Sequence, residues 1–295
     1  MFHGSIVALV TPMAETGEID YPAVDRLIDF HLAHGTDGLV IGGTTGESAC
    51  LTDDEFLALL DRAIQRVAGR IPVIAGTGCP ATKKTIAKTR LAEAKGANAA
   101  LVVTPYYNRP EQAGLVAHYQ AIHDATGIPL IIYNVPGRTG VDLLPESTAI
   151  LAELPNMVAI KEANSQSGRI NELLELVADK MTVLSGDDSS ACRSMLEGAQ
   201  GVVSVVANVV PASIHALCEA ACSSQAGPAK LLDDSLRSLY DALALETNPQ
   251  PVKWALHEMG LTADGIRLPL LPLAAEHRRT LLRILSELKL LDRNE

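Results

Sequence analysis

The sequence lacks the features that mark several classes of protein. Its five cysteines form an odd number with no C-x-x-C pair, so we interpret them as small buried side chains in a reducing compartment. Neither a basic N-terminal leader nor a run of about 18 apolar residues occurs, and we therefore expect a cytoplasmic chain. Basic residues are not in excess, since the net charge is -11, which disfavours nucleic acid and anionic membranes as partners. Small molecules are the better expectation.

What the chain does contain is a series of short apolar runs rich in Val, Ile and Leu. Segments with the spacing of a helix lie between most of them, and this alternation predicts parallel βαβ units. The runs are continuously apolar rather than alternating, which indicates strands covered on both faces. There are eight: SIVALVTP, GLVIGGTTGE, IPVIAGTG, ALVVTPYY, PLIIYNVPG, MVAIKEAN, MTVLSGDD and GVVSVVAN.

Two architectures accommodate this pattern, an open doubly wound sheet and a closed (β/α)8 barrel. Eight runs at intervals of about 20 to 35 residues favour the barrel. The first run leads into Thr11-Pro12-Met13 rather than G-x-G-x-x-G, and no P-loop motif occurs. After residue 225 the strand signals stop and helical spacing continues. We therefore predict an α/β protein, a (β/α)8 TIM barrel over residues 1–224 with a small C-terminal helical appendage over residues 225–295.

A lysine follows the apolar run of the sixth predicted strand, in the sequence VAIKEA. The carboxyl ends of the strands face the active site in barrels of this type. Neighbouring side chains of a strand point to opposite faces, so Glu162 should point away from Lys161. Burial disfavours the charged form of an amine, and a free amine can attack a carbonyl carbon to form an imine. The pattern predicts Lys161 as a nucleophile; the alternative is a lysine paired with an acid.

Hydroxyl groups at the ends of other predicted strands could carry the protons that imine chemistry requires. The fifth run ends in Tyr133, and the fourth leads to Tyr107. The motif GGTTGES supplies Thr44 and Thr45, and its glycines allow a tight turn whose N–H groups could hold a carboxylate. Each tyrosine alone could equally be a packed ring with its hydroxyl in water. Together with an imine-forming lysine, these groups predict a proton relay.

The sequence offers a residue that could bind a substrate carboxylate, but no pattern of metal ligands. Arg138 lies just beyond the fifth run in VPGRTG, and its planar guanidinium suits a carboxylate, although a surface arginine is the alternative. None of the eight histidines ends a run from the second to the eighth, and no H-E-x-x-H occurs. We therefore expect no metal and no cofactor.

Four motifs in the same order resemble the dihydrodipicolinate synthase family of pyruvate-dependent, class I aldolase-type lyases, within the N-acetylneuraminate lyase superfamily. The resemblance spans the whole chain and includes NPQPVKW and RLPL in the helical tail. The four motifs are Gly43–Glu47 (GTTGE), residues 104–110 (TPYYNRP), residues 133–140 (YNVPGRTG) and residues 160–163 (IKEA).

The resemblance implies condensation of pyruvate with L-aspartate 4-semialdehyde to give 4-hydroxy-tetrahydrodipicolinate, in diaminopimelate and lysine biosynthesis. It makes Lys161 the imine-forming residue and Tyr133 the proton relay. Thr44 would link Tyr133 to Tyr107, which in this family reaches in from a neighbouring subunit. A homotetramer is the usual state of the family.

The substrate contacts are implied in the same way. The main chain of Thr45 would contact the pyruvyl carboxylate, and Arg138 would bind the carboxylate of the semialdehyde. Gly186 and the main chain at Val203 would line the pyruvate side. Many members have Ile at position 203, and Val should change little there because the main chain makes the contact.

Two other functions fit the same motifs less well. A sibling lyase acting on a sialic or keto-deoxy sugar acid would need hydroxyl and amide groups for a polyol aldehyde, whereas Arg138 suits a short carboxylated aldehyde. A barrel that binds a keto acid without catalysis would not need the lysine, the tyrosines and the arginine together.

Feedback inhibition by L-lysine is expected to be weak or absent. In lysine-sensitive members the effector lies at a subunit interface, where Ser48, Ala49 and Tyr106 match this chain and Asp53, Phe56, Pro80 and Lys84 depart from the pattern. Pro80 has no amide side chain, and Lys84 would place one ammonium beside another, which disfavours binding. The alternative is that Asp53 or Glu55 takes over the role of the lost carboxylate.

Overall fold

A closed barrel of eight parallel strands forms the centre of the computed structural model, which describes residues 2–291. The strands follow one another around the barrel in chain order, and β8 closes it by pairing with β1. Each of the eight apolar runs contributes one strand, so the predicted TIM barrel is confirmed. The strands are β1 Gly4–Ala8, β2 Gly38–Ile41, β3 Val73–Gly76, β4 Ala99–Val103, β5 Leu130–Asn134, β6 Met157–Glu162, β7 Thr182–Ser185 and β8 Gly201–Ser204.

Helices surround the barrel and continue beyond it. Those that accompany the barrel are α1 Tyr21–Ala33, α2 Asp53–Val67, α3 Thr82–Lys95, α4 Gln112–Ala125, α5 Pro136–Thr139, α6 Pro145–Leu151, α7 Arg169–Val177, α8 Asp188–Leu196 and α9 Pro211–Cys222. Three more follow in the predicted appendage: α10 Ala226–Leu243, α11 Gln250–Glu258 and α12 Ala275–Glu287. The predicted appendage extends to residue 295, and its residues 292–295 lie outside the described part of the chain. No helix between residues 2 and 291 is long and apolar enough to cross a membrane.

The strands are apolar on both faces because each face packs against a different layer. Inside the barrel, side chains such as Ile6 and Val40 form one buried cluster. The alternate residues, such as Val7 and Leu39, pack outward against the helices in a larger cluster. Side chains of a strand alternate between its two faces, so one continuous run serves both layers.

The pairing of β5 with β6 sets the geometry of the candidate site. Tyr133 lies opposite Lys161, and Asn134 lies opposite Glu162. Tyr133 belongs to the cluster inside the barrel, whereas Asn134 and Glu162 bond to each other on the helix side. The alternation predicted for Lys161 and Glu162 is therefore present, and it separates the amine from the adjacent carboxylate.

Candidate active site

Lys161 and Tyr133 form a contact at the carboxyl end of the barrel. Lys161 is 5 % exposed and Tyr133 is 7 % exposed. The Lys161 Nζ lies 4.1 Å from the centre of the Tyr133 ring. Lys161 makes no ion pair with a carboxylate within the described residues. An amine that is buried, unpaired and beside a phenol can act as a nucleophile with a proton carrier close by.

Gly186 packs closely beside the Lys161 side chain. It follows β7, and its N–H donates to the Glu162 carbonyl at 2.7 Å. A Cβ at position 186 would lie 3.1 Å from Lys161 Cε and 2.8 Å from Ala163 Cβ. Any larger residue would therefore crowd the amine. Val203 on β8 is buried in the same inner cluster as Tyr133.

The loop after β2 carries Thr44 and Thr45. Its turn is closed by hydrogen bonds from the Gly46 N–H to the Gly43 carbonyl, at 3.1 Å, and from the Glu47 N–H to the Thr44 carbonyl, at 3.0 Å. Thr45 is buried and Thr44 is half-buried. This loop presents backbone and hydroxyl groups at the same end of the barrel as Lys161.

Arg138 lies on the short helix α5, directly after β5. Its side chain is exposed and its guanidinium donates to the Asn248 carbonyl at 3.3 Å. It lines two cavities, one of about 630 Å³ shared with Asp188 and Tyr240, and one of about 410 Å³ shared with Thr44. In the part of the chain that is described, it has no carboxylate partner. Its charge is therefore open to a bound acid.

Tyr107 stands apart among the predicted site residues by its exposure and its backbone conformation. It is 92 % exposed and its φ is +72°, in the left-handed region that non-glycine residues seldom adopt. Nothing between residues 2 and 291 buries its ring. The Tyr107 ring therefore lies at the surface of the single chain.

A polar network on the outer face of β5 and β6 was not predicted from the sequence. The Asn134 side-chain amide donates to both Glu162 carboxylate oxygens, at 3.2 and 3.1 Å, and to Asp142 at 2.7 Å. The Asn164 N–H also donates to Glu162, at 2.6 Å. Burial raises the pKa of Glu162 to about 7, and these hydrogen bonds oppose that rise. The sequence signal for this network was the polar residue that follows each site residue, Asn134 after Tyr133 and Glu162 after Lys161.

A second unpredicted group is the ion pair between Glu47 and Lys253. Glu47 ends the GTTGE motif, and Lys253 lies in the NPQPVKW stretch of the helical tail. A lysine among apolar residues of a predicted helix was the available signal. No cluster of three or more His, Cys, Asp or Glu side chains placed to hold a metal ion occurs among residues 2–291.

A TIM barrel with an unpaired, buried lysine at the end of its sixth strand has the arrangement of an imine-forming lyase of the class I aldolase type. Comparison with known sequences then gives the family. The chain belongs to the Dihydrodipicolinate synthetase family, whose sequence model matches residues 1–288.

Two curated relatives that match most of the chain share one name. The 4-hydroxy-tetrahydrodipicolinate synthase of Methylococcus capsulatus is 49% identical over 94% of this chain and 96% of its own. That of Ectopseudomonas mendocina is 51% identical over 92% of each chain. These shares leave little of either protein unmatched.

Solved structures agree in fold. The dihydrodipicolinate synthase of Acinetobacter baumannii, complexed with pyruvate, has a TM-score of 0.97 at 45% identity, covering 99% of this chain and 100% of that one. A monomeric dihydrodipicolinate synthase variant has a TM-score of 0.96 at 41% identity, covering 98% of each chain. The enzyme of Cyanidioschyzon merolae with lysine bound has a TM-score of 0.95 at 35% identity, covering 98% and 99%.

Proposed function

We propose that the protein is an enzyme that condenses pyruvate with L-aspartate 4-semialdehyde to give 4-hydroxy-tetrahydrodipicolinate, in the diaminopimelate and lysine pathway. The observation that carries this function is the Lys161 amine, buried 4.1 Å from the Tyr133 ring, in a chain that belongs throughout to the synthetase family. A relative of the same fold was solved with pyruvate.

The covalent steps begin at Lys161. Its amine attacks the keto carbon of pyruvate, and loss of water gives an imine. Removal of a proton from the pyruvyl methyl group gives an enamine, whose carbon attacks the aldehyde carbon of the semialdehyde. The amino group of the semialdehyde then replaces Lys161 at the imine carbon, which closes the ring and frees the enzyme.

Tyr133 serves as the proton relay for these steps, linked through Thr44 to Tyr107. The first support is the contact between the Tyr133 ring and the Lys161 amine. The second is the exposure of Tyr107, which leaves its hydroxyl available to a second subunit. The functional state is therefore a homo-oligomer, with a tetramer as the specific form, in which Tyr107 completes a neighbouring site.

Two sets of groups receive the two carboxylates. The Thr45 main chain receives the pyruvyl carboxylate, with Gly186 and the Val203 main chain on the same side. Arg138 receives the carboxylate of the semialdehyde, since its guanidinium faces a cavity without a carboxylate partner among the described residues. Charge-assisted, bidentate bonds of this kind suit a short carboxylated aldehyde better than a polyol.

L-Lysine is a weak effector or none. The 410 Å³ cavity is lined by Ser48, Ala49 and Tyr106, and the ammonium group that lines it is that of Lys88 rather than Lys84. The Lys88 Nζ lies 4.0 Å from the centre of the buried Phe56 ring. A second ammonium brought beside it would meet a like charge with little water to screen it.

Turnover with competing aldehydes tests the proposed function. Purified protein with pyruvate should consume L-aspartate 4-semialdehyde at least about 10²-fold faster, per kcat/KM, than it cleaves N-acetylneuraminate or a keto-deoxy sugar acid. Faster turnover of a sugar acid would instead establish a sibling lyase. Pyruvate binding with no turnover of any aldehyde would establish a keto-acid-binding barrel.

A further inference from the structure

The helical tail reaches the loop that carries Thr44 and Thr45 through a buried ion pair. Lys253 on α11 is 3 % exposed, and its ammonium donates to Glu47 Oε1. Glu47 is 4 % exposed and stands two residues after Thr45. Both charges are withdrawn from water, so each depends on the other for compensation.

Both the side chain and the main chain of Glu47 are hydrogen-bonded, which fixes its position in the loop. Its second carboxylate oxygen, Oε2, accepts from the Arg267 N–H at 3.0 Å, and its own N–H donates to the Thr44 carbonyl at 3.0 Å. Its φ is +55°, a left-handed conformation that a glutamate adopts only when its surroundings enforce it. The ion pair to Lys253 supplies part of that enforcement.

The same stretch of the tail also touches the loop directly. The Asn248 side-chain amide donates to Thr45 Oγ1 at 3.0 Å. The Lys253 N–H donates to the Pro249 carbonyl at 3.0 Å, which ties the lysine to this stretch. The segment from residue 248 to residue 253 therefore contacts the loop at two residues, Thr45 and Glu47.

We propose that Lys253 is a positioning residue for pyruvate, which acts through its ion pair with Glu47 to hold the Thr44–Thr45 loop in the conformation that receives the pyruvyl carboxylate. The inference rests on the proposed function, because it takes the Thr45 main chain as the pyruvate contact. It predicts an effect mainly on pyruvate, because the Lys253–Glu47 pair acts on the Thr44–Thr45 loop. Arg138 lies on α5, and it bonds to the Asn248 main chain of the tail rather than to this ion pair. On this proposal the helical tail contributes to pyruvate binding by positioning the Thr44–Thr45 loop.

A purely stabilising ion pair would behave differently when its charges are removed together. Removal of one partner leaves a buried, uncompensated charge and destabilises the fold, whereas removal of both charges can leave stability unchanged. If the pair only stabilised the fold, Glu47→Gln with Lys253→Met would restore both stability and activity. If the pair positions the loop, stability can return while pyruvate binding stays impaired.

The experiment measures this double variant of the full chain against wild type. The observables are the thermal midpoint, the KM values for pyruvate and for semialdehyde, and the pyruvate concentration that half-saturates borohydride trapping. The control removes an ion pair between two barrel helices, with Asp25→Asn and Arg62→Met, whose side chains join α1 to α2 through two bonds of 2.7 Å. The control should keep both KM values within about twofold of wild type.

The double variant should fold and need at least about tenfold more pyruvate for half-saturation in both measurements, with the semialdehyde KM within about twofold of wild type. Wild-type pyruvate values in the folded double variant, or equal rises in both KM values, would overturn the role of Lys253. Should that variant fail to fold, Glu47→Asp retains the charge but shortens the reach. It should raise the pyruvate KM alone, and an unchanged pyruvate KM would refute positioning.

Failure of the proposed function gives a separate signature. Wild-type protein that is not trapped by borohydride with pyruvate would overturn the proposed function and this inference together. Wild type and variants that are trapped with the same half-saturation would overturn only the role of Lys253.

Discussion

Replacing Glu162 by glutamine should flatten the pH dependence of the stability of this protein. Glu162 is buried on the outer face of β6, directly after Lys161, and it accepts hydrogen bonds from the Asn134 side chain and the Asn164 N–H. Burial raises its pKa from the ordinary 4.5 to about 7. Glutamine has nearly the shape of the protonated acid and cannot ionise, so it removes the titration. Its amide nitrogen cannot accept the bond that Asn134 donates to the second oxygen, and that loss changes the stability by an amount that does not depend on pH.

The sign and size follow from the linkage between protons and folding. Because the folded pKa lies above the unfolded one, the stability contributed by the protonated carboxyl is fully present below pH 4.5 and is lost as pH rises through about 7. A rise from 4.5 to about 7 corresponds to about 3 kcal/mol at most. Between about pH 5 and pH 8, wild type should lose roughly 2 to 3 kcal/mol relative to Glu162→Gln.

Urea unfolding at four pH values between about 5 and 8 measures this difference directly. Glu55→Gln is the control, because the hydrogen bond from Arg267 lowers the pKa of Glu55 to about 2, the opposite direction. Glu55 is ionised in both states above about pH 5.5, so its variant should differ from wild type by a constant amount there. A pH-independent difference between Glu162→Gln and wild type would refute the proposed ionisation of Glu162.

Three further predictions concern catalysis and regulation. Arg138→Met should raise the semialdehyde KM by about 10- to 100-fold, because a charge-assisted contact worth roughly 1.5 to 3 kcal/mol is lost; steady-state kinetics with both substrates varied would contradict this if only the pyruvate KM rose. Lys161→Ala should reduce kcat for the condensation of pyruvate with the semialdehyde by a factor on the order of 10⁴ to 10⁶, and a loss below about tenfold would exclude Lys161 as the nucleophile. Initial rates with increasing L-lysine should show no half-inhibition below about 1 mM, and inhibition below that concentration would mean that the cavity lined by Ser48, Ala49 and Tyr106 binds the effector.

The barrel could be predicted from the sequence because each strand carries its own signal. A short, continuously apolar run that ends in a polar residue is local information, and all eight runs became strands. The first strand is shorter than its run, since β1 ends at Ala8 while the apolar stretch continues to Val10. Leu9 still donates its N–H to the Val40 carbonyl of β2 at 3.1 Å, but the Val10 N–H donates to the Asn208 side chain instead, also at 3.1 Å. Hydrophobicity alone cannot reveal this change of partner.

The opposite orientation of Lys161 and Glu162 could be predicted for the same reason, because the alternation of a strand needs no tertiary information. The partners of Glu162 could not, since they depend on the register between β5 and β6. The ion pair of Glu47 with Lys253 joins residues 206 positions apart, and no local pattern specifies which helix will meet the loop. Tyr107 is exposed in the single chain, and its proposed partner lies in a second subunit, whose position no sequence pattern gives.

Borohydride reduction in the presence of pyruvate tests the central claim most directly, because it makes the imine permanent. Wild-type protein should gain the mass of one reduced pyruvyl group, and peptide mapping should find it on the peptide that contains Lys161. Lys161→Ala, incubated in the same way, should gain no mass. Unmodified Lys161 in protein that still turns over pyruvate and semialdehyde would contradict the imine mechanism, as would a pyruvyl group on any other lysine.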